Sequence, residues 1–206
     1  MNVAAVNGLP RRSIAAVWYR AVDPRYLPAA LAYSHTRLFA SRYYEGPTAA
    51  VPFEIVYLAE NPLVALFEVE ALFGSPLIPG GLIANPARSW LTMNAQVQLT
   101  TVADLTDVPG AQITLATTAQ ELTGDWKGYR QRSASTSVSA PVGAVPTHDL
   151  GAALHASGLF EGFLTISAKM PYQMVLGVFP GRIAKGNYVR YSYVDPAGRT
   201  QTLQIP

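Results

Sequence analysis

A glutamate set among apolar neighbours is the first residue of this sequence that suggests chemistry. Asn61-Pro62 predicts the start of a helix, with asparagine as the N-cap and proline in the first helical position. The helix is expected to run through LVALFEVEALF to Gly74. On it, Glu68 has Val64, Ala65, Ala71 and Leu72 at spacings of three and four, while Glu70 has Leu66, Phe67 and Phe73 around it. Either carboxylate borders a cleft or sits at the solvated edge of a very apolar helix, and periodicity does not choose between them. Arginines add a second kind of chemistry. Arg20 ends the apolar run IAAVWYR, and Arg42 lies in SRYYEG between Ser41 and Tyr43. Guanidinium groups beside aromatic rings can hold an anion such as a pyrophosphate by forked hydrogen bonds while the rings stack on a base. The competing reading of each is a surface arginine lying over apolar neighbours.

Ser167 follows FLTI, a position that could mark a strand end opening into a cleft; a lone serine is weak evidence, and no GxSxG elbow surrounds it, so serine-hydrolase chemistry has no support. Tyr57 lies on an expected strand, where an aromatic ring is ordinarily core. Asp104 and Asp107 in DLTD fit turn and cap hydrogen bonds.

Composition narrows the field. The absence of cysteine excludes disulfides, thiolate nucleophiles, cysteine-ligated zinc and iron–sulfur clusters. His35, His148 and His155 are scattered, without HExxH, so no metal site is expected. Fifteen basic and 13 acidic residues leave a charge of +2, too little for direct nucleic-acid or membrane-surface binding. Half of the 206 residues are apolar, so one domain with a substantial core is expected, with self-association a further expectation from the apolar surplus. The opening MNVAAVNGLPRR lacks the order of a secretory signal, and no uninterrupted apolar stretch of about 18 residues occurs, so a soluble cytoplasmic protein is expected.

The elements that must position these residues are short. IAAVWYR reads as a strand, and PFEIVYLAE as the best strand in the chain, with Phe53, Ile55 and Tyr57 alternating with Glu54, Val56 and Leu58. Gly46-Pro47 and Pro109-Gly110 are turn signals. Residues 75–98 hold Pro76, Pro79, Gly80, Gly81 and Pro86 and are expected to form an irregular or strand-containing excursion. TVADLTD (101–107) is expected as a strand, Thr118–Leu122 as a short helix, and 133–147 as a flexible loop. Asp149–Ser157 predicts a helix closed by Gly158, GFLTIS and MVLGVF a strand pair, and the tail a hairpin about Asp195–Gly198. This is an α+β pattern, without the alternation, GxGxxG or P-loop of the common nucleotide-binding folds.

In order and spacing, VWYRA, ASRYYEGP, IVYLAENPLVALFEVE, VADLTD and GFLTISAKMPYQMVLGVF resemble the RES domain. The block 56–70 is the most specific and the late ISA the next. The likeness covers about 15–182 of a single RES-like domain spanning 1–206, with the hairpin at 186–206 beyond it. It implies an ADP-ribosyltransferase-like fold: short strands in a split mixed or antiparallel core sheet with flanking helices. It also implies a toxin that cleaves NAD+ at the nicotinamide–ribose bond by hydrolysis or phosphorolysis, neutralised by an Xre-type helix-turn-helix antitoxin. Some members instead transfer ADP-ribose to a protein, and a non-catalytic interaction module is the third reading. By this resemblance Arg20, Glu68 and Ser167 match the family's named residues and Tyr57 a tyrosine that lines the pocket. Arg42 best fits a second arginine, with Arg37 its rival. The family often places an aromatic after the first arginine, where this chain has Ala21 with Tyr19 before it. The implied roles are a carboxylate stabilising an oxocarbenium-like ribose (Glu68), a pyrophosphate clamp (Arg20 and Arg42), and a hold on a ribose or the nicotinamide amide (Ser167). NAD+ is the substrate, and no cofactor or metal is required.

Overall fold

The computed structural model describes residues 1–87, 89–127, 129 and 145–206. The described residues form an α+β structure. In chain order its strands are β1 (Arg11–Val22), β2 (Val56–Ala59), β3 (Leu72–Gly74), β4 (Leu82–Ala84), β5 (Leu91–Asp104), β6 (Gly162–Ile166), β7 (Met174–Val178), β8 (Tyr188–Val194) and β9 (Thr200–Ile205). Its α-helices are α1 (Pro62–Glu68), α2 (Ala119–Thr123) and α3 (Pro146–Ser157). Seven strands share one mixed sheet in the order β1-β2-β7-β6-β5-β8-β9, and β1 also pairs with β5, which closes five of them into a ring. Only β5–β6 is parallel. The ring closes very unevenly: β1 follows β5 from Arg11 to Val22 but meets β2 only at Tyr19↔Ala59.

Strand β5 is the spine. Met93, Ala95, Val97 and Leu99 face the interior in strict alternation with exposed or half-exposed polar residues, the period-2 signature of a strand with one buried face. The strand expected at 101–107 is only its end, because the pairing with β1 draws the strand back to Leu91. One edge of β5 serves β1, and the other is divided between β8 at Gln96–Gln98 and β6 at Val102–Asp104. The amides of Thr100 and Thr101 fall at the division. The Glu161 carboxylate takes both, at 2.7 and 2.8 Å, together with the two threonine hydroxyls, the Ala184 amide and the Asn187 side chain.

Strand β2 separates two cores. Val56 and Leu58 join Trp18, Leu99, Leu164 and Leu176 on one side; on the other, Phe53 and Ile55 lead into a cluster of Tyr43, Phe163, Phe179 and Leu150. Each such fully buried side chain contributes roughly 2 kcal/mol of hydrophobic stabilisation. The strand itself is shorter than PFEIVYLAE predicts, although Phe53 and Ile55 are buried as the alternation requires. The β6–β7 and β8–β9 pairs form as expected, and Gly158 closes α3 at φ 66°. Helix α3 begins earlier than Asp149, at Pro146; most of 133–147 lies outside the described residues. Gly151 is required there, since a Cβ would lie 1.9 Å from the Tyr43 carbonyl oxygen. Pro109-Gly110 falls within a single π turn, Val108–Gln112. No described helix is long and apolar enough to cross a membrane.

Helix α1 is capped as predicted, Asn61 accepting from the Val64 amide at 3.0 Å, but it stops at Glu68 instead of reaching Gly74. The Ala71 amide donates to the Leu66 carbonyl and the Glu70 amide to that of Phe67, the Schellman pattern. The left-handed position this motif needs is filled by Glu70 (φ 58°), where glycine is the norm, and this ending has no glycine to announce it. Residues 72–74 then pair with β4.

Two outcomes are expected in denaturant titrations. Glu161→Gln presents an amide N–H to donors that had a carboxylate, and should cost about 3 kcal/mol. Burial pushes the Glu161 carboxyl up, but the bonds from Ala184, Asn187, Thr101 and Thr100 outweigh it and hold it below its ordinary value. Its folded value being the lower one, its contribution is full at neutral pH and is lost as pH falls through that value; the acid slope below about pH 5 should flatten in the variant. Glu70→Gly should keep or raise stability by up to about 1 kcal/mol, relief of the left-handed strain offsetting the lost exposed pair with Lys169.

Candidate active site

The weak joint of the ring opens onto a cavity of about 350 Å³. Tyr19, Arg20 and Ala21 of β1 form one wall, and Ile55, just before β2, with Tyr57, Leu58 and Ala59 of β2 forms another. Ala65, Glu68 and Val69 come from the end of α1, and Trp90 stands just before β5. A loop from His35 to Ser41 completes the rim. That loop is fixed by Thr36, whose hydroxyl donates to the Tyr33 carbonyl at 2.6 Å and accepts from the Ile55 amide at 3.2 Å.

Of the residues singled out in the sequence, Arg20, Tyr57 and Glu68 meet on this cavity. The Arg20 Nη1 is shut off from solvent, and among the described residues it has no hydrogen-bond partner and the guanidinium no ion pair. Burial pushes it down to about 10, which leaves it charged at neutral pH. His35 lies near enough to be affected: burial first, then the Arg20 charge, push it below the usual histidine value, so it is neutral at pH 7. Tyr57 is pushed up by burial and keeps its proton. Its hydroxyl lies 2.9 Å from Ser41 Oγ, and the Ser41 carbonyl is 2.8 Å from His148 Nε2.

Glu68 and Glu70 part company at the helix end. Glu68, the last helical residue, turns to the cavity, whereas Glu70 forms a half-exposed pair with Lys169 at 3.2 Å. Ser167 stands behind Glu68 and not on the cavity wall. It is 3% exposed, donates to Glu68 Oε1 at 2.5 Å, and accepts from the amides of Met170 (3.0 Å) and Lys169 (3.2 Å). Its oxygen is thus fixed by two backbone donors and its proton is directed at the carboxylate.

The other two arginines stand apart. Arg42 donates through Nη1 to the Gly124 carbonyl, and Arg37 forms a two-nitrogen pair with one oxygen of Glu54. Neither lines the cavity. Their positions among aromatics gave a reason to expect an anion site; the Glu54 carboxylate and the Gly124 carbonyl are the acceptors they hold instead. The lining residues that the sequence did not mark for the site include Tyr19, His35, Phe39 and Trp90. His35 and Phe39 belong to the aromatic-rich segment around Arg37, and Tyr19 is next to Arg20, so proximity was a usable signal. Trp90 follows a Pro- and Gly-rich excursion and had none. No group of three or more His, Asp or Glu side chains that could hold a metal ion occurs among the described residues.

Cavity and ring together can be compared with known proteins. No curated protein matches the sequence. A chain in the crystal structure of the M. tuberculosis MbcT–MbcA toxin–antitoxin complex is similar in structure, with a TM-score of 0.55 at 15% identity, over 98% of this chain and 90% of that one. At such identity the likeness is one of fold. The model of the RES domain matches residues 17–202, a span that contains every lining residue of the cavity and the joint between β1 and β2. The chain belongs to the RES domain family.

Proposed function

We propose that the protein is an NAD+-consuming toxin that breaks the nicotinamide–ribose bond on an ADP-ribosyltransferase-like scaffold. The observation that carries this reading is the convergence of a buried, unpaired guanidinium, a neutral tyrosine and an oriented carboxylate on one cavity. The cavity lies within the size range of small-molecule sites.

The chemistry asks little of the protein. As the bond from the ribose C1′ to the pyridinium nitrogen breaks, its electron pair goes to nicotinamide, which leaves neutral. Positive charge develops on the ribose, and a fixed carboxylate in a partly dry site stabilises it. Glu68 fills that role, and Ser167 acts through it by fixing the carboxylate. Water, phosphate or a protein side chain then forms the new C1′–O or C1′–N bond and releases a proton. Arg20 takes the anionic pyrophosphate, the ligand chemistry its buried charge lacks. Membership in the RES family and structural likeness to a member of a toxin–antitoxin complex support a toxin role. The likeness to that complex also supports an antitoxin partner; on this reading the partner is of the Xre type and covers the cavity mouth.

Purified protein is expected to release nicotinamide from NAD+, with labelled product as free ADP-ribose, its phosphate or a modified polypeptide according to the acceptor. Glu68→Gln should lower kcat at least about 100-fold, as for loss of a preorganised electrostatic group, whereas Glu70→Gln should match the wild type. Undiminished turnover in Glu68→Gln overturns the role of the carboxylate, and no nicotinamide release by wild type overturns the reaction. Ser167→Ala should lower kcat by about tenfold with little change in KM, the mark of a group that orients another. A rise in KM alone would place Ser167 on the substrate instead.

A further inference from the structure

The cavity has a second buried donor. Trp90 lines it, and its Nε1 is shut off from solvent without an acceptor, as is Arg20 Nη1 on the same cavity. The only other such side-chain atom among the described residues is Gln112 Nε2, which belongs to neither the cavity nor its rim. An indole N–H can only donate, and leaving it buried and unpaired costs about 1–3 kcal/mol. The rest of the side chain is well placed, packing against the cluster of Ala21, Ala59, Val64, Ala65 and Val175 beneath α1. The cost falls on the polar tip, and a bound acceptor would remove it.

We infer that Trp90 reads the pyrophosphate of a dinucleotide ligand, its indole N–H donating to a phosphate oxygen beside the Arg20 guanidinium. This rests on the NAD+ reading above for the identity of the ligand and adds a residue to it. Two unsatisfied donors, one of them cationic, call for an anion with several acceptor oxygens in preference to a neutral carbonyl. The arginines that would otherwise complete the clamp are engaged, Arg42 with the Gly124 carbonyl and Arg37 with Glu54. Glu68 is the cavity's carboxylate, and Arg20 and Trp90 carry its buried, unpartnered donors. A dinucleotide offers one partner to each kind of group, its reacting ribose to Glu68 and its phosphates to the two donors.

The test is a comparison of wild type with Trp90→Phe, which keeps an aromatic ring and removes the donor. Trp90→Phe should weaken ADP-ribose binding, measured by calorimetry, about tenfold, the scale of one hydrogen bond to a charged acceptor. It should raise the KM for NAD+ by a similar factor while lowering kcat much less. Nicotinamide riboside, which has no phosphate, should bind both proteins alike. A measurement on the wild type guards against a misfolded variant: the indole N–H resonance of Trp90 in the proton–nitrogen spectrum should move with ADP-ribose and stay in place with nicotinamide riboside. Equal ADP-ribose affinity in the two proteins, or an indole signal that answers nicotinamide riboside as strongly as ADP-ribose, overturns the inference. So does a wild type that does not bind ADP-ribose. The two readings fail separately. If ADP-ribose binding depends on Trp90 but no nicotinamide is released, the inference stands and the proposed reaction falls. If NAD+ is consumed equally well by both proteins, the reaction stands and the inference falls.

Discussion

A single buried carboxylate lets β5 serve three neighbours. Two strands share one of its edges, and the backbone between them would be left with amides facing no partner. Glu161, 1% exposed, fills that gap with one oxygen on Thr100 and Thr101 and the other on Ala184 and Asn187, so the chain before β8 is tied to the same point. Its charge is met wholly by oriented N–H and O–H dipoles, an arrangement in which a buried ion is tolerated because every lone pair is used. Because β5 also carries β1 along its opposite edge, the position of Arg20 across from Met93 depends on this fork.

A similar economy sets the site. Glu68 is useful because the helix stops at it, and the helix stops because the chain accepts a left-handed glutamate at the next-but-one residue. Had α1 continued to Gly74, Glu68 would be one of several acids along a helix. Instead the last helical carboxylate is caught from behind by Ser167, on the turn that follows β6, and the next acid is carried away to solvent. Local strain and a contact distant in sequence together select one of two acids.

Much of this was legible in the sequence. The N-cap of α1, the C-cap of α3, the β6–β7 pair and the tail hairpin follow from residue types whose preferences are local. The coming together of Arg20, Tyr57 and Glu68 was reachable through the order of weak motifs, not through any one of them. The full length of β5 could have been read too, since Leu91, Met93, Ala95, Val97 and Leu99 alternate with polar residues, but the prolines and glycines before them hid it. Other features are not written locally. Whether an arginine faces a cavity or a neighbouring carbonyl is decided by what the fold brings opposite it, as Arg42 and Arg37 illustrate. Glu161 looked like any acid before a strand, because the amides it satisfies are 60 and 61 residues away.

The one-pair joint between β1 and β2 gives the molecule a parting line. Peeling β1 from β5 means unzipping every pairing from Arg11 to Val22, whereas between β1 and β2 the sheet has one backbone pairing to give up, Tyr19 with Ala59. A load on the ring therefore concentrates at one place, and that place is beside Arg20. Like a clasp, the ring yields at its fastening before its band. A wedge driven in there would meet Tyr19 and Ala59, and with them the cavity wall, before it reached any other pairing of the ring.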